Sequence, residues 1–432
     1  MKGASQGTQP PENDVHLQGV EHLRINLDRL RDEMRELSEI GRVAGLPGIS
    51  RPGFSDADMA ARTFMAERMR AGGLQISMDA VGNLSGLWST GSGPAVMIGS
   101  HLDTVPMGGR FDGSLGVVAA LECVRTLMES GAEPPCPIEV IATAEEEGRF
   151  GGMLGAQALA GAIDDAWFRS ARDESGVTLI EAMRAQGLDP DAATTAARDP
   201  RQVKAFLELH IEQGPVLDSA GIPIGIVEAI SGVFKWSVTL DGVANHAGTT
   251  PMNLRKDAFA GLAAFACGVP DIIAAVGTDQ SRVTIGSVEV RPNPPHTVPG
   301  QALFTLVGRD ADRAVMLRLA EEARIRLEAI AARTGLGLVI DEQSWLDPMP
   351  CDPEIVAAIR RQAEALALPY RLMPSGAGHD TQFMAALTRA GLIFVPSIGG
   401  ISHAPEEDTA WPDVEAGANL LLHALIDVAG GA

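Results

Sequence analysis

Leu23, Leu27, Leu30, Met34 and Leu37 recur at helical spacing with Arg, Asp and Glu between them, which predicts an amphipathic helix over 23–40. A second helix is expected over 56–71, opened by Ser55 as an N-cap and closed by Gly72 and Gly73. Residues 74–79 alternate like a strand that ends in a turn at Gly82 and Asn83. The pattern then changes. Residues 95–100 (AVMIGS), 138–143 (IEVIAT) and 206–209 are short runs in which apolar residues crowd both faces, the mark of buried strands. Polar residues follow each run, and a small-residue helix is expected over 113–130. Strand, polar turn and helix in repetition predict an α/β domain whose reactive residues sit at the C-terminal strand ends.

From about residue 216 the chain reads differently. Strands are expected at 225–230, 234–240, 283–290 and 302–307, with helices near 255–269 and 311–333, an α+β pattern. After 341 the α/β pattern returns with helices at 353–366, 380–390 and 414–428 and a strand at 392–395. The expected organisation is an α/β catalytic domain in two stretches, 21–216 and 329–432, with a smaller α+β domain inserted at 217–328. The Gly/Pro/Gln-rich start, 1–20, is expected to be disordered. The longest weakly polar stretch, 258–269, is too short to span a bilayer and is expected to be a buried Ala-rich helix.

Composition narrows the function classes. Lys and Arg number 34 against 56 Asp and Glu, a net charge of −22, which argues against nucleic acid and anionic membrane as partners. A hydrophobic share of 45% is too high for a disordered acidic chain. Cys123, Cys136, Cys267 and Cys351 form no CxxC or paired spacing, so core thiols in a reducing compartment are expected. With no apolar targeting core at the start, the expected location is cytoplasmic. No glycine-rich phosphate loop follows a strand, so no nucleotide cofactor is implied.

Candidate chemistry gathers in four segments: GSHLDTVPMGGRFDGSLG at 99–116, AEEEGRFGG at 144–152, LHIEQG at 209–214 and GGISHAPEED at 399–408. Taken singly, each is weak. A His or Asp at a strand end usually serves as a hydrogen-bonding group, and adjacent glutamates usually form a solvated turn. Glu145, Glu146 and Glu147, however, follow a strand too apolar to be superficial. Carboxylates forced together there need a cation to relieve their repulsion. Imidazole with carboxylate suits zinc, and also manganese, cobalt or nickel.

Together with ELHIEQGPVL, NHAGTTPM and SGAGHD, these segments resemble the M20-type dinuclear metallo-amidohydrolases over about 22–428, in particular the branch of N-carbamoyl-L-amino-acid hydrolases and allantoate amidohydrolases. The resemblance implies a metallopeptidase-like α/β catalytic domain with an inserted two-layer lid and dimerisation domain. It implies two divalent ions per subunit, zinc by expectation, with Asp112 as the bridge. His101 and His210 would complete one ligand set, Glu147 and His403 the other. Asp103 would hydrogen-bond the ring of His101, and Glu146 would be the general base; Glu145 receives no role. His246 would stabilise the oxyanion in the partner's site of a homodimer. Arg309 would clamp the substrate carboxylate, with Asn293 beside it and Gln213 near the leaving group. His379 would either contact substrate or order its loop.

The implied activity is hydrolysis of the ureido C–N bond of an N-carbamoyl-L-amino acid, a small anionic substrate, giving amino acid, carbon dioxide and ammonia. Allantoate or ureidoglycolate hydrolysis is the second reading, and hydrolysis of an unusual amide or other C–N bond in a carboxylate-bearing molecule the third. A binding protein that had lost its chemistry would lack a ligand or the base, and here none is missing. The chain departs from the family at three places near substrate recognition. His296 stands where the family has an Asn, Gly308 precedes Arg309 with no acidic residue before it, and Gly148 directly abuts Arg149.

Overall fold

The computed structural model describes residues 20–43 and 45–430; the start expected to be disordered lies, but for Val20, outside them. The chain divides into two units. The first comprises the chain up to Glu228, Cys351–Met373 and the residues from His379 onward; the second comprises Ala229–Pro350 and Pro374–Gly378.

In the first unit, strands Ala95–His101, Ile138–Thr143, Val203–Ile211 and Ala390–Val395 lie parallel, in the spatial order Ile138–Thr143, Ala95–His101, Val203–Ile211, Ala390–Val395. Their side chains alternate between two covered faces. Val96, Ile98, Ile138 and Val140 pack with helices Ser114–Ser130 and Trp411–Gly430. Met97, Ile141 and Phe206 pack with Met384 of helix Thr381–Leu387. Two buried faces explain why these runs lack a polar side. Parallel pairing also brings the C-terminal ends level. His101 stands opposite Thr143, and His210 opposite Phe394. Everything that follows these strands therefore emerges along one edge of the sheet.

Most expected elements of this unit are present with trimmed ends. The first helix spans Leu27–Ser38, because Asn26 caps it by accepting from the Arg29 amide. The second spans Asp56–Ala71 with Ser55 as its cap, as its sequence predicts.

The second unit is a four-stranded antiparallel sheet in the order Gly337–Leu346, Gly232–Asp241, Gln301–Asp310, Arg282–Arg291. Phe234, Trp236, Val238 and Leu240 alternate inward and pack, with Phe304 and Leu306, under helices Ala258–Cys267, Val269–Val276 and Arg313–Thr334. The expected insert at 217–328 is thus displaced toward the C-terminus. Strand Ile224–Ile230 pairs with Ala390–Val395 and belongs largely to the first unit. Helix Arg313–Thr334 crosses the expected boundary, and Gly337–Leu346 completes the inserted sheet. That fourth strand carries no expected element, because its exposed side chains obscure the strand pattern.

The buried Ala-rich helix expected at 258–269 needs a larger correction. It is two helices meeting at Gly268, and only Ala258, Gly261, Leu262, Phe265 and Ile272 are buried. Phe259 is 49% exposed, and Cys267 is an exposed thiol rather than a core one. Ala258–Val276 makes 19 residues that by length and composition could cross a membrane, longer than the sequence reading allowed. The break at Gly268 and the packing of Leu262, Phe265 and Ile272 on the sheet account for the stretch as a covering layer.

Candidate metal centre

The strand ends carry the chemistry. The His101 ring turns back so that Nδ1 lies 3.0 Å from the Asp103 carbonyl oxygen, and His210 Nδ1 lies 2.9 Å from the Ile211 carbonyl oxygen. A ring nitrogen donating to a carbonyl leaves Nε2 with its lone pair outward, the tautomer that ligates metal. Both Nε2 atoms face one oxygen of Asp112, at 3.4 Å from His101 and 3.1 Å from His210. The other Asp112 oxygen lies 3.2 Å from His403 Nε2, which in turn is 3.3 Å from Glu147. Two donor sets, His101/Asp112/His210 and Asp112/Glu147/His403, therefore share one carboxylate. Glu146 Oε2 stands 3.6 Å from His101 Nε2.

Local structure fixes this geometry. Gly113, at φ 62, opens helix Ser114–Ser130, and a Cβ there would stand 2.4 Å from the His101 ring. Only glycine fits the turn that carries Asp112. Glu145, Gln213 and His403 adopt φ 55, 57 and 54, a region costly for non-glycine residues and concentrated here where side chains must be aimed.

Asp103 makes the expected hydrogen bond to the His101 ring, but through its backbone carbonyl rather than its side chain. Its carboxylate is 3.9 Å from His101 Nδ1, too far for a hydrogen bond, and the ring is held by the Asp103 carbonyl instead. The carboxylate accepts from the amides of Glu146 at 3.2 Å and Glu147 at 3.1 Å, so it orients the two glutamates. His379 is buried, its ring edge-on to His210 at 4.5 Å between centroids and against Phe394 on the other side. It also groups with Glu208 and His210, with ligand atoms within 4.8 Å of one another. Gln213 Nε2 lies 2.8 Å from Asp112 and 3.2 Å from His403 Nε2, inside the second donor set.

Two supporting residues escape a reading of the sequence. Glu407 accepts from the amides of Phe111 at 3.0 Å and Asp112 at 3.1 Å, and from the Ser402 hydroxyl at 2.9 Å, joining the Asp112 turn to the loop of His403. Arg51 is fully buried and donates to the carbonyls of Leu37, Ile40 and Leu102 and to the Ser114 hydroxyl, bracing the segments that carry His101 and Asp112. Glu407 had a weak signal, since it lies in the His403 segment; Arg51 had none.

The electrostatics ask for a cation. Burial pushes the Asp112 carboxyl up, but the imidazoles of His101, His210 and His403 outweigh it and hold it well below the usual range. Burial, then the charge of Asp112, pushes Glu147 up to about 8. Burial likewise raises Glu146 well above its ordinary value. The hydrogen bond with Asp112 raises His403 to about 9. Without metal the cluster retains protons; a divalent ion takes their place. Glu147 Oε1 and Gln213 Oε1 are buried with no hydrogen-bond partner, so the second donor set has oxygens to spare for an ion. Donor chemistry and orphaned oxygens both fit two divalent cations.

A pH dependence follows. Glu147 titrates near 8 when folded against an ordinary 4.5, and His403 near 9 against 6.5. Between each pair of values the fold holds the extra proton, so their contribution to stability is complete below the ordinary value and is lost as pH rises through the folded one. Chelator-treated protein should therefore lose melting temperature from about pH 5 to 9, while metal-loaded protein loses less and the gap widens. Thermal scans across that range, with and without chelator, check this. Parallel curves would contradict it.

Two shared donor sets around one aspartate make a dinuclear hydrolase centre, and comparison with known proteins agrees. Residues 97–427 match the sequence profile of peptidase family M20/M25/M40. The chain belongs to that family. It is 39% identical to the N-carbamoyl-L-amino-acid amidohydrolase of Paenarthrobacter aurescens, over 93% of this chain and 98% of that one. It is 38% identical to the allantoate amidohydrolase of Escherichia coli K12, over 88% and 93% respectively. Among solved structures, a hydantoinase/carbamoylase-family amidase from Burkholderia multivorans superposes with a TM-score of 0.88 at 34% identity, covering 94% of this chain and 98% of that one. The expected family and the α/β fold with an inserted α+β unit therefore both stand.

A cavity of about 370 Å³ opens beside Glu147, lined also by Thr104, Val105, Pro106 and Arg149. A larger one of about 630 Å³, around Phe54, Val177 and Gln186, has none of the donors on its wall. In the inserted unit, His246 and His296 are brought together, because His246 pairs with Thr297 across a short two-stranded ladder and the Ala247 amide donates to the His296 carbonyl. His246 is exposed, and its Nδ1 accepts from the amides of Gly248 at 3.1 Å and Thr249 at 3.2 Å. Asn293 lies exposed in the loop before His296. Arg309, on strand Gln301–Asp310, donates to the Gly376 carbonyl at 3.1 Å and pairs with no carboxylate among the described residues.

Proposed function

We propose that the protein hydrolyses the ureido C–N bond of N-carbamoyl-L-amino acids. The observation that carries this reading is the Asp112 carboxylate presenting one oxygen to each of two donor sets, with Glu146 buried beside them. Bound divalent ions, zinc by preference, would supply Lewis acidity and an acidified water. Glu146 takes the proton as that water's oxygen bonds to the carbamoyl carbon. It then delivers the proton to the amino-acid nitrogen as the C–N bond breaks. The carbamic acid released decomposes to carbon dioxide and ammonia, which balances the reaction.

His246 is read as the oxyanion donor. With Nδ1 accepting two backbone amides, the ring proton belongs on Nε2. An exposed donor fixed in this way suits a site in a second subunit, so a homodimer is part of the proposal. Arg309, with no carboxylate of its own, is read as the clamp on the substrate carboxylate, and Asn293 and His296 as its neighbours. The negative surface and four unpaired thiols support a cytoplasmic setting.

A second reading, allantoate or ureidoglycolate hydrolysis, is favoured by the similarity to the allantoate amidohydrolase of Escherichia coli. Ammonia release from a panel of N-carbamoyl-L-amino acids, allantoate and ureidoglycolate separates the two. Release from the carbamoyl acids is the expected result; release from allantoate alone transfers the assignment, and silence on all three refutes both. Arg309→Ala should lower kcat/KM about 10- to 100-fold, chiefly through KM, as befits a lost charge-assisted carboxylate contact. Unchanged kinetic constants would remove Arg309 from the carboxylate site.

A further inference from the structure

We infer that the cavity of about 370 Å³ beside Glu147 receives the side chain of the substrate amino acid, and that its walls select an uncharged, apolar one. The inference rests on the ureido-acid reading and deepens it. Glu147 stands both on the cavity wall and in the second donor set, so the cavity opens directly from the metal centre. The cavities of about 630 and 380 Å³ elsewhere in the first unit have no donor on their walls. Pockets that take whole small ligands run from about 300 to 1,000 Å³. A volume at the small end of that range suits one side chain rather than a whole molecule.

Charge decides which part of the substrate enters. With the carbamoyl carbon at the metals, the α-carboxylate and the side chain leave Cα in different directions. The cavity offers the carboxylate nothing. Arg149, the cation on its wall, gives Nε and Nη2 to Asp173 at 3.1 and 2.9 Å and Nη1 to the Gly53 carbonyl at 2.9 Å. Glu174 adds an exposed negative charge to the same wall. An entering carboxylate meets two others and a guanidinium that is already engaged. The α-carboxylate therefore goes elsewhere, to Arg309 in the reading above, and the side chain is what remains for this cavity.

The walls are apolar where they are free. Val105 and the rings of Pro52 and Pro106 present carbon, and both prolines stiffen the chain that carries them. The hydroxyls are engaged within the protein. Thr104 Oγ1 accepts from the Arg51 amide at 2.9 Å and donates to the Val105 carbonyl at 3.0 Å, and Ser175 donates to Asp173 at 2.7 Å. Asp173 also accepts from the amides of Ser175 and Val177, each at 3.0 Å. A polar substrate group entering here loses water and finds no free partner, whereas an aliphatic one gains by leaving water.

Calorimetric binding to zinc-loaded full-length protein tests this without turnover. The probes are the N-hydroxycarbamoyl derivatives of glycine, L-leucine and L-glutamate, whose hydroxyurea group holds a metal ion. The leucine compound should bind at least about 10-fold tighter than either of the others, and kcat/KM for the matching N-carbamoyl acids should follow the same order. Val105→Phe, which fills the cavity, should cut the leucine-to-glycine ratio at least about 10-fold in both measurements. Glu174→Lys, on an exposed side chain, should raise the glutamate-to-leucine ratio about 10-fold. Ratios near one in wild type, or ratios that neither variant moves, would overturn the inference. Probes that bind in the expected order to a protein that hydrolyses no ureido acid would refute the proposed function and leave the pocket standing. Turnover of N-carbamoyl acids with no order among them would refute the pocket alone.

Discussion

Glu146→Gln should lower kcat about 10²- to 10⁴-fold, the usual contribution of a positioned general base, while metal content and melting temperature stay near wild type. Two neighbouring glutamates compete for the role, and geometry divides them. Glu147 lies 3.3 Å from His403 and belongs with Asp112 to the second donor set. Glu146 approaches His101 at 3.6 Å and belongs to neither donor set that Asp112 joins, though it groups with His101 and Glu147. A carboxylate locked between ions cannot also shuttle a proton, so the one outside the shared set is the base. Its amide is tethered to Asp103 at 3.2 Å, which aims the side chain without using the carboxylate. Glutamine preserves size and burial and removes only the basic oxygen. Glu147→Gln, by contrast, should lower the second ion's occupancy. Steady-state ammonia release paired with elemental analysis separates the two variants. Turnover within tenfold of wild type in a fully loaded Glu146→Gln protein would mean the base lies elsewhere.

His101, His210 and the glutamates were legible because they end or follow apolar runs read as buried strands. Ala95–His101, Ile138–Thr143 and Val203–Ile211 deliver His101, the glutamates and His210 to one edge of a parallel sheet, and the run lengths imply that delivery. What holds the donors was not legible. Glu407 bonds to the Asp112 amide 295 residues away in sequence, and Arg51 reaches the Ser114 hydroxyl 63 residues on. Neither contact leaves a local pattern. Asp103 shows the same limit at short range: its position beside His101 was readable, but which of its oxygens faces the ring depends on the turn. The inserted unit misled for another reason. The solvent side of a one-sided sheet reads as polar, so Gly337–Leu346 lost its strand signal. The covering helices read as buried because small residues are apolar whether or not they are covered.

Asp112→Asn should have the largest effect of any single substitution, because this one carboxylate belongs to both donor sets. One of its oxygens faces His101 and His210, the other His403. Asparagine keeps a single ligating oxygen and puts an N–H₂ in place of the other, so at most one set survives. The loss is also electrostatic. Three imidazoles hold the Asp112 carboxyl well below its usual range, and a neutral amide there cannot balance two divalent ions with the remaining donors. Metal content should fall from two ions to one or none, and turnover should vanish below detection. His403→Ala should cost only the second ion and His210→Ala only the first. Combining Asp112→Asn with His403→Ala should then add little, the strong non-additivity expected when two residues serve one ion. Elemental analysis of the three single variants and the double variant measures all of this. Two ions retained by Asp112→Asn would show that the bridge is not Asp112 and that the two sets are independent.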